Sequence, residues 1–289
     1  MTDQAVAVSR RIVILFTFAL LCVPACAGQL PALTSDRPDQ TESAETVVPG
    51  AAQFEVGWTH AEEDDEGFDL STDAFPQTLI RYGLAENLEL RLGFDGYVWQ
   101  DVEEPAGESV EDDGAGDTEI GFKYKLWNEQ GRRPQTAVLV GTSLPTGEDP
   151  FSSERLDPSI RLAFAHTLSD ALSLGYNVAG IWETEQDETG DRDTTASIAY
   201  SAALGIALTH RAGTFVEFFG SVPTDEGKPA NSFDAGLTYL ITDNLQLDVL
   251  GGAGVSEAAD DWFIGAGVVY RIAGTYAGPE RRRPPVVSR

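Results

Sequence analysis

Residues 239–252 read YLITDNLQLDVLGG, and this stretch joins two apolar-alternating runs through the short polar turn at 242–244. In the second run, apolar side chains such as Leu247 fall on one face of an extended chain, and polar ones such as Asp248 fall on the other. Alternation with a period of two on both sides of a polar turn is the pattern of an antiparallel β-hairpin. The stretch therefore predicts a hairpin with one apolar and one polar face.

The same hairpin pattern recurs along the chain. It is found at 81–94 (RYGLAENLELRLGF) and at 164–177 (FAHTLSDALSLGYN), with a looser copy at 208–220 (LTHRAGTFVEFFG). The main copies follow one another at about 80 residues, and repetition of one supersecondary unit indicates a regular architecture. We expect a single antiparallel sheet of up-and-down strands that closes into a barrel.

Composition excludes one large class of partner. The 289-residue chain contains 19 Lys and Arg against 47 Asp and Glu, for a formal net charge of −28. Such a charge repels phosphate backbones, so we expect no nucleic-acid partner. A hydrophobic fraction of 42% with 29 glycines fits a sheet protein with many tight bends better than a disordered acidic chain.

The first 27 residues are predicted to be a signal peptide. A pair of arginines precedes the apolar run 12–23, which is short for a membrane-spanning helix, and an A-x-A pattern ends at Ala27. An N-terminal anchor and lipoprotein processing at Cys26 are two competing interpretations, and the residues before Cys26 fit a lipobox poorly. Cleavage after Ala27 would remove both Cys22 and Cys26, which leaves no thiolate for a disulfide or a metal site.

The rest of the chain divides into three parts. We expect a periplasmic lead-in at 28–50, an outer-membrane β-barrel at 51–272 and a basic, Pro-containing tail at 273–289. Within the barrel, about twelve runs of roughly ten residues have the length of tilted strands that cross a bilayer. The predicted strands are 53–60, 75–84, 88–99, 117–127, 135–144, 159–168, 172–182, 194–208, 214–222, 232–241, 245–255 and 261–272.

The connections between these runs alternate in length and charge. Five are short and partly basic, whereas most of the others are longer and acidic, as at 62–67 and 101–114. Outer-membrane barrels sort their loops in this way, with short periplasmic turns and long outer loops. The acidic runs are expected to be solvated, and divalent bridging to lipid headgroups is a second interpretation. We expect no resident metal and no cofactor.

The two faces of each strand differ in a way that fits either a soluble or a membrane barrel. In a soluble barrel the apolar face fills the core, whereas in a membrane barrel it meets lipid and the charged face lines the lumen. Aromatic residues near predicted strand ends, as in an interfacial girdle, favour the membrane interpretation. These residues are Trp58, Tyr97, Trp99, Trp127, Trp182, Trp262 and Tyr270.

Strand parity then predicts the charged residues that line the lumen, and these are the candidate functional residues. The structural interpretation is that they pair across strands and fill a narrow interior. The functional interpretation is that they select solutes in a polar conduit. The candidates are Glu55, Arg81, Glu89, Arg91, Asp95, Glu119, Lys123, Lys125, Arg161, Glu217, Asp234, Asp248 and Arg271.

Several segments taken in order resemble one family of bacterial outer-membrane transporters, which is named for the meta pathway of phenol degradation. The resemblance extends from about residue 34 to residue 271. Its main segments are TSDRPDQTESAETVVPG (34–50), GAGDTEIGFKYKLW (114–127), GTSLPTG (141–147), DAGLTYLITDNLQLDVLGGAG (234–254) and ADDWFIGAGVVYR (259–271).

The resemblance implies a 12-stranded-type outer-membrane barrel that moves small compounds, aromatic or apolar ones included. The implied partners are outer-membrane lipids, the barrel assembly machinery and a small-molecule solute. The family brings no catalytic residues. One departure is the C-terminus, because such barrels commonly finish on an aromatic residue, whereas here Tyr270 is followed by Arg271, Ile272 and the basic tail.

Three functions compete with passive transport. The first is enzymatic: phosphate-binding, zinc-protease and hydrolase motifs are missing from the sequence, although a Ser-His pair assembled in space would escape such a search. The second is a structural or surface barrel without transport, and the third is a soluble secreted barrel that binds a ligand. The lead-in is too short for a globular plug, which favours passive transport over an energy-coupled receptor.

Overall fold

The computed structural model describes residues 30–65, 67–105, 107, 109–186, 192–225 and 227–272. The predicted signal peptide and the C-terminal tail lie outside these residues, so both stay predictions. The described chain is built from β-strands, and it contains no helix that could cross a membrane.

Fourteen strand segments form one antiparallel sheet. They are β1 (Ala52–Asp65), β2 (Phe68–Ala85), β3 (Leu88–Phe94), β4 (Tyr97–Glu103), β5 (Ser109–Ala115), β6 (Thr118–Trp127), β7 (Gln135–Leu144), β8 (Asp157–Thr167), β9 (Leu172–Gln186), β10 (Arg192–Ala207), β11 (Ala212–Pro223), β12 (Ala230–Thr242), β13 (Leu245–Gly254) and β14 (Trp262–Ile272).

The sheet closes into a barrel because the first and last strands pair. Strand β1 pairs with β14 from Ala52 opposite Ile272 onward, and it also pairs with β2 on its other side. Two barrel strands are each interrupted once: β3 and β4 form one, and β5 and β6 form another. Counting each interrupted strand once turns fourteen segments into a 12-stranded barrel, so the predicted fold class is confirmed.

The two interruptions lie side by side in the wall. The amide of Asp95 donates to the carbonyl of Asp117 at 3.0 Å, and the amide of Gly116 donates to the carbonyl of Gly96 at 2.8 Å. Gly96 has a φ of +101°, a conformation that suits glycine because it lacks a Cβ. The ladder therefore continues across a bend, above which β4 stays paired with β2 while β5 pairs only with β4.

The hairpin of β4 and β5 corrects the loop predicted at 101–114. Strand β4 continues to Glu103, and β5 begins at Ser109 and pairs with β4 alone. The predicted loop at 62–67 is also mostly strand, since β1 runs to Asp65 and β2 starts at Phe68. Both segments carry charge on each face, which hides the alternation. A strand that extends into water can do this, because neither face has to be apolar.

The orientation of the two faces distinguishes a membrane barrel from a soluble one. On β6, Phe122 points outward and is 42% exposed, whereas the next residue, Lys123, is fully buried inside. The same arrangement recurs around the wall, with apolar side chains such as Ile160 and Val249 exposed on the outer surface. This apolar exterior around a charged interior is that of a transmembrane barrel of the outer-membrane type, so the interpretation as a soluble barrel is wrong.

The lead-in lies inside the barrel, which corrects its expected place in the periplasm. Asp36, Thr41, Ala44 and Val47 are all buried. Close to where the lead-in enters β1, the amide of Val47 donates to Glu89 at 2.8 Å. The lead-in has no globular fold of its own, yet it fills much of the lumen. Its polar sequence gave no periodic signal because its partners are scattered around the wall.

Candidate functional site

A buried charge network occupies one side of the lumen, and Arg81 lies at its centre. The guanidinium of Arg81 contacts Glu89 at 2.8 Å and Glu55 at 3.1 Å, and all three side chains are fully buried. It also contacts the Asp36 carboxylate of the lead-in at 3.1 Å. One cation therefore joins two wall strands to the inserted segment.

Two further cations complete this network. The ammonium of Lys123 lies 2.7 Å from an oxygen of Asp36 and 3.5 Å from Glu42. One guanidinium nitrogen of Arg91, Nη2, donates to both carboxylate oxygens of Glu42, at 2.7 and 2.9 Å, and the other, Nη1, contacts Asp36. Buried ions need such partners because removal from water is costly. We call Asp36, Glu42, Glu55, Arg81, Glu89, Arg91 and Lys123 the charged wall.

A second anchor of the lead-in lies on β13, which β14 separates from β1. Arg37 reaches Asp248 on β13 at 3.2 Å. Gly57 and Gly267, which are paired in the β1–β14 register, lie under this side chain, and a Cβ at either position would collide with the guanidinium. These two glycines are the local sequence signal that a bulky side chain lies against the inner face of β1 and β14 here.

A third set of contacts involves the carboxylate pair formed by Glu217 on β11 and Asp234 on β12. The two residues stand directly opposite each other in the strand register. Glu217 accepts a hydrogen bond from the amide of Gln40 at 2.7 Å and another from the hydroxyl of Thr41. Both carboxylates are buried. The lead-in thus shields this pair as well.

The other predicted lumen residues are placed separately. Lys125 pairs with Glu45 of the lead-in at 3.1 Å, and Arg271 donates to backbone carbonyls of Pro31 and Asp243. Arg161 contacts Asn177 at 3.3 Å. The structure therefore brings together Glu55, Arg81, Glu89, Arg91 and Lys123, but it does not add Arg161, Glu119, Glu217 or Asp248 to that network as the alternation had suggested.

Two cavities lie next to the lead-in. The larger one, of about 490 Å³, is lined by charged residues that include Asp95, Glu119 and Arg161. The smaller one, of about 380 Å³, also reaches Arg161 but is lined by many small residues together with Phe219 and Phe263. Because Arg161 borders both, the two cavities meet at this side chain.

An apolar patch on the inner wall adjoins the smaller cavity, and parity arguments had missed it. Phe215, Leu250 and Phe263 form a buried cluster, against which Phe219 packs. The rings of Phe219 and Phe263 meet edge to face at 6.0 Å. We call these four side chains the inner aromatic patch. The signal was present in the sequence, because Phe215 and Phe219 share the parity of Glu217.

The loop between β7 and β8 is fixed to the bend in the wall by Asp117. This carboxylate accepts hydrogen bonds from the amides of Thr146, Gly147 and Ser153 at 2.8–3.0 Å. Burial by itself would raise the pKa of Asp117, but these bonds outweigh it and hold the pKa below the ordinary value. The loop is therefore anchored while Asp117 is ionised.

A family model described as "Putative MetA-pathway of phenol degradation" matches residues 35–272. The chain belongs to this family. The match begins within the lead-in, so the inserted segment is part of the phenol-degradation family's domain and not an appendage to it. None of the curated protein sequences compared with the chain matches it.

Solved structures agree with this membership at the level of fold. An outer-membrane channel from Pseudomonas putida F1 is similar with a TM-score of 0.65 at 15% identity, over 79% of this chain and 98% of that one. The transport unit of the autotransporter AIDA-I from Escherichia coli gives 0.51 at 9% identity, over 83% and 93%. The NanC porin gives 0.50 at 9% identity, over 76% and 100%. At these identities the likeness defines a shared outer-membrane barrel architecture.

Among the described residues, no group of three or more His, Cys, Asp or Glu side chains is arranged to hold a metal ion. Several carboxylates of the lumen instead have basic partners or contacts with the lead-in.

Proposed function

We propose that this protein is a passive outer-membrane channel for small molecules, with a preference for compounds that carry an aromatic or apolar group. The observation that carries the proposal is the inner aromatic patch beside the 380 Å³ cavity of the lumen. Membership of the phenol-degradation family and a fold shared with outer-membrane channels support it. The proposal includes no chemical reaction.

The inner aromatic patch is difficult to explain as packing alone. Its outer neighbours already provide the apolar surface that lipid requires. The other buried apolar cluster of the lumen, Ala44, Ala137, Leu139 and Ala163, contains no aromatic ring. A solute that packs its rings against aromatic side chains in a cavity removes apolar surface from water, and the free energy gained is proportional to the buried area. The cavity lies at the lower end of the usual size of small-molecule sites.

The lead-in sets the size limit on any solute. Its side chains bind both the charged wall and the carboxylate pair, so a solute can pass only beside it or after it shifts. Neither case needs an energy source, because the contacts are reversible ion pairs and hydrogen bonds. We therefore expect slow diffusion of compounds near the size of one or two rings.

Swelling of proteoliposomes tests this proposal. Phenyl glucoside and methyl glucoside share a sugar that keeps both out of the lipid, and they differ in the aromatic ring. We expect the ratio of phenyl to methyl glucoside swelling rates to fall in Phe219→Ala and to stay unchanged in Phe218→Ala. Phe218 is the matched control, since it is the next residue on β11 and packs against Phe233 on the outer surface.

The main rival is a structural barrel without transport, and the filled lumen favours it. The lead-in makes direct contacts with strands on several sides, as a permanent filling would. If neither glucoside swells the liposomes although correctly folded protein is present, the structural barrel replaces the channel proposal. Swelling with no difference between Phe219→Ala and the parent would keep the channel and remove its aromatic preference.

A further inference from the structure

The carboxylates of the lumen are not all compensated in the same way. In the charged wall each acidic side chain lies within 3.5 Å of a basic one. The pair formed by Glu217 and Asp234 has no such partner among the described residues, although the two carboxylates face each other across adjacent strands. Two adjacent like charges without a counter-charge are unfavourable when water is excluded.

Asp234 is the member of the pair whose charge lacks compensation, and it is only 6% accessible to solvent. Both of its carboxylate oxygens are buried, and no described residue donates a hydrogen bond to either. A buried polar group without a partner is rare in folded proteins and calls for a missing proton, water or ion.

Among the described residues, the surroundings of Asp234 offer oxygen atoms and no basic side chain. On β11 stands Glu217, and the lead-in supplies the Thr41 hydroxyl, which also lies 2.7 Å from the hydroxyl of Ser201 on β10. On the other side, Gly252 is opposite Asp234 on β13, and Phe263 of β14 packs over that glycine. These groups present carboxylate and hydroxyl oxygens at the edge of the inner aromatic patch.

The basic side chains of the neighbourhood are engaged elsewhere. Arg37 is directed to Asp248, and Arg161 contacts Asn177 and the carbonyl of Gln40. No described basic side chain therefore neutralises the pair, which leaves an ion or a proton from solution to do so. Hard cations prefer carboxylate and hydroxyl oxygens and accept water for the remaining ligands.

We propose that Glu217 and Asp234, together with the Thr41 hydroxyl, form an exchangeable cation site in the lumen that gives the channel a preference for cations. The ion is partly hydrated and weakly held. This fits a site of two carboxylates better than a resident structural metal, for which the described residues provide no group of three strong ligands. The selectivity half of this inference rests on the proposed channel function, whereas the binding half does not.

Two measurements separate these halves. In planar bilayers under a KCl gradient, the parent should show a reversal potential of a cation-preferring pore, and Asp234→Asn and Glu217→Gln should each lower the permeability ratio of K⁺ to Cl⁻ several-fold. Glu45→Gln is the control, because Glu45 is a lead-in carboxylate that already pairs with Lys125. Millimolar Ca²⁺ should also reduce the K⁺ current of the parent more than that of Asp234→Asn.

Binding is measured without conduction, as the thermal unfolding midpoint of the detergent-solubilised protein with CaCl₂, with KCl or with choline chloride at equal ionic strength. We expect CaCl₂ or KCl to raise the midpoint of the parent and to leave Asp234→Asn unchanged. A parent midpoint that ignores the cation but rises in acid would mean that the two carboxyls share a proton, and this would overturn the site. A parent that conducts without cation preference would overturn the selectivity while the channel function stands. An absence of both conduction and swelling would instead refute the channel, with the unfolding midpoint alone deciding whether the cation binds.

Discussion

Substitution of Lys123 by Met tests whether the charged wall is held by charge balance. Lys123 is fully buried, and methionine has a similar length and volume, so the change removes the charge while leaving no large void. In the parent, three cations face four carboxylates within this network. Lys123→Met leaves two cations for the same four carboxylates. Asp36, 2.7 Å from the lost ammonium, is affected first.

Loss of one partner from an isolated buried pair costs about 3–5 kcal/mol, because the remaining charge stays desolvated. Asp36 keeps Arg81 and Arg91, so we expect Lys123→Met to cost about 3 kcal/mol, the lower end of that range. Asp36→Asn should cost less, since it leaves three cations facing three carboxylates and keeps a polar group in place. In the double variant the carboxylate that lost the ammonium no longer exists. Neighbours in one network couple by about 0.5–3 kcal/mol, so the double variant should be more stable than the sum of the single changes implies.

The assay is reversible urea unfolding of the barrel in lipid vesicles, followed by the heat-modifiable gel shift of folded barrels. The free energy of unfolding of the parent, the two single variants and the double variant forms a double-mutant cycle. A cost below about 1 kcal/mol for Lys123→Met would place this ammonium in the class of exposed pairs and refute the argument from burial. Strict additivity in the double variant would show that Lys123 and Asp36 do not act on each other.

Three further predictions concern the membrane, the topology and the outer loop. Leu90→Arg, on the outer face of β3, should cost about 2–4 kcal/mol if it lies near mid-bilayer, whereas Glu86→Arg in the adjacent turn should be tolerated, as measured by urea unfolding in vesicles. A cysteine in place of Glu111 on the acidic hairpin should react with an impermeant maleimide on intact cells, and one in place of Asp170 in a short turn should not. The reverse labelling would mean that the barrel has the opposite orientation in the membrane. Because the pKa of Asp117 is lowered in the folded protein, its hold on the β7–β8 loop is complete above the ordinary aspartate pKa of about 4 and is lost as pH falls through the lower folded value. Asp117→Asn should therefore raise the rate of amide hydrogen exchange at Gly147 and Ser153 relative to the parent at neutral pH but not in strong acid. The same variant-to-parent ratio of rates at both pH values would contradict this.

Much of the barrel was predictable because lipid imposes a simple rule on its outer face. A residue such as Phe122 must be apolar and its neighbour Lys123 need not be, so the period of two survives wherever a strand crosses the bilayer. The rule lapses outside the membrane. For this reason β5, with Glu111 and Asp112 on opposite faces, has the sequence pattern of a loop although its backbone is fully paired with β4.

The interior was less predictable, because parity gives direction but not partners. Glu55 and Asp234 were both assigned inward from the same pattern, and both are buried. One is neutralised by Arg81 and the other by no described cation. The contact between Glu55 and Arg81 follows from the hairpin of β1 and β2, whereas no strand next to Asp234 carries a basic side chain opposite it. Where Asp36 and Thr41 of the lead-in are inserted is not encoded by any local feature of the sequence.

The order of contacts along the lead-in links the separate parts of the site. Asp36 binds the charged wall, the next residue, Arg37, reaches Asp248 on the far side of β14, and Thr41 covers the carboxylate pair. Because these residues are so close in sequence, a displacement of Asp36 by a few ångström must also move the hydroxyl that covers Glu217. A variant that loosens the charged wall should therefore open the cation site to water. The two regions would then change together, which makes the cation preference of Asp36→Asn a direct measure of how rigidly the lead-in joins them.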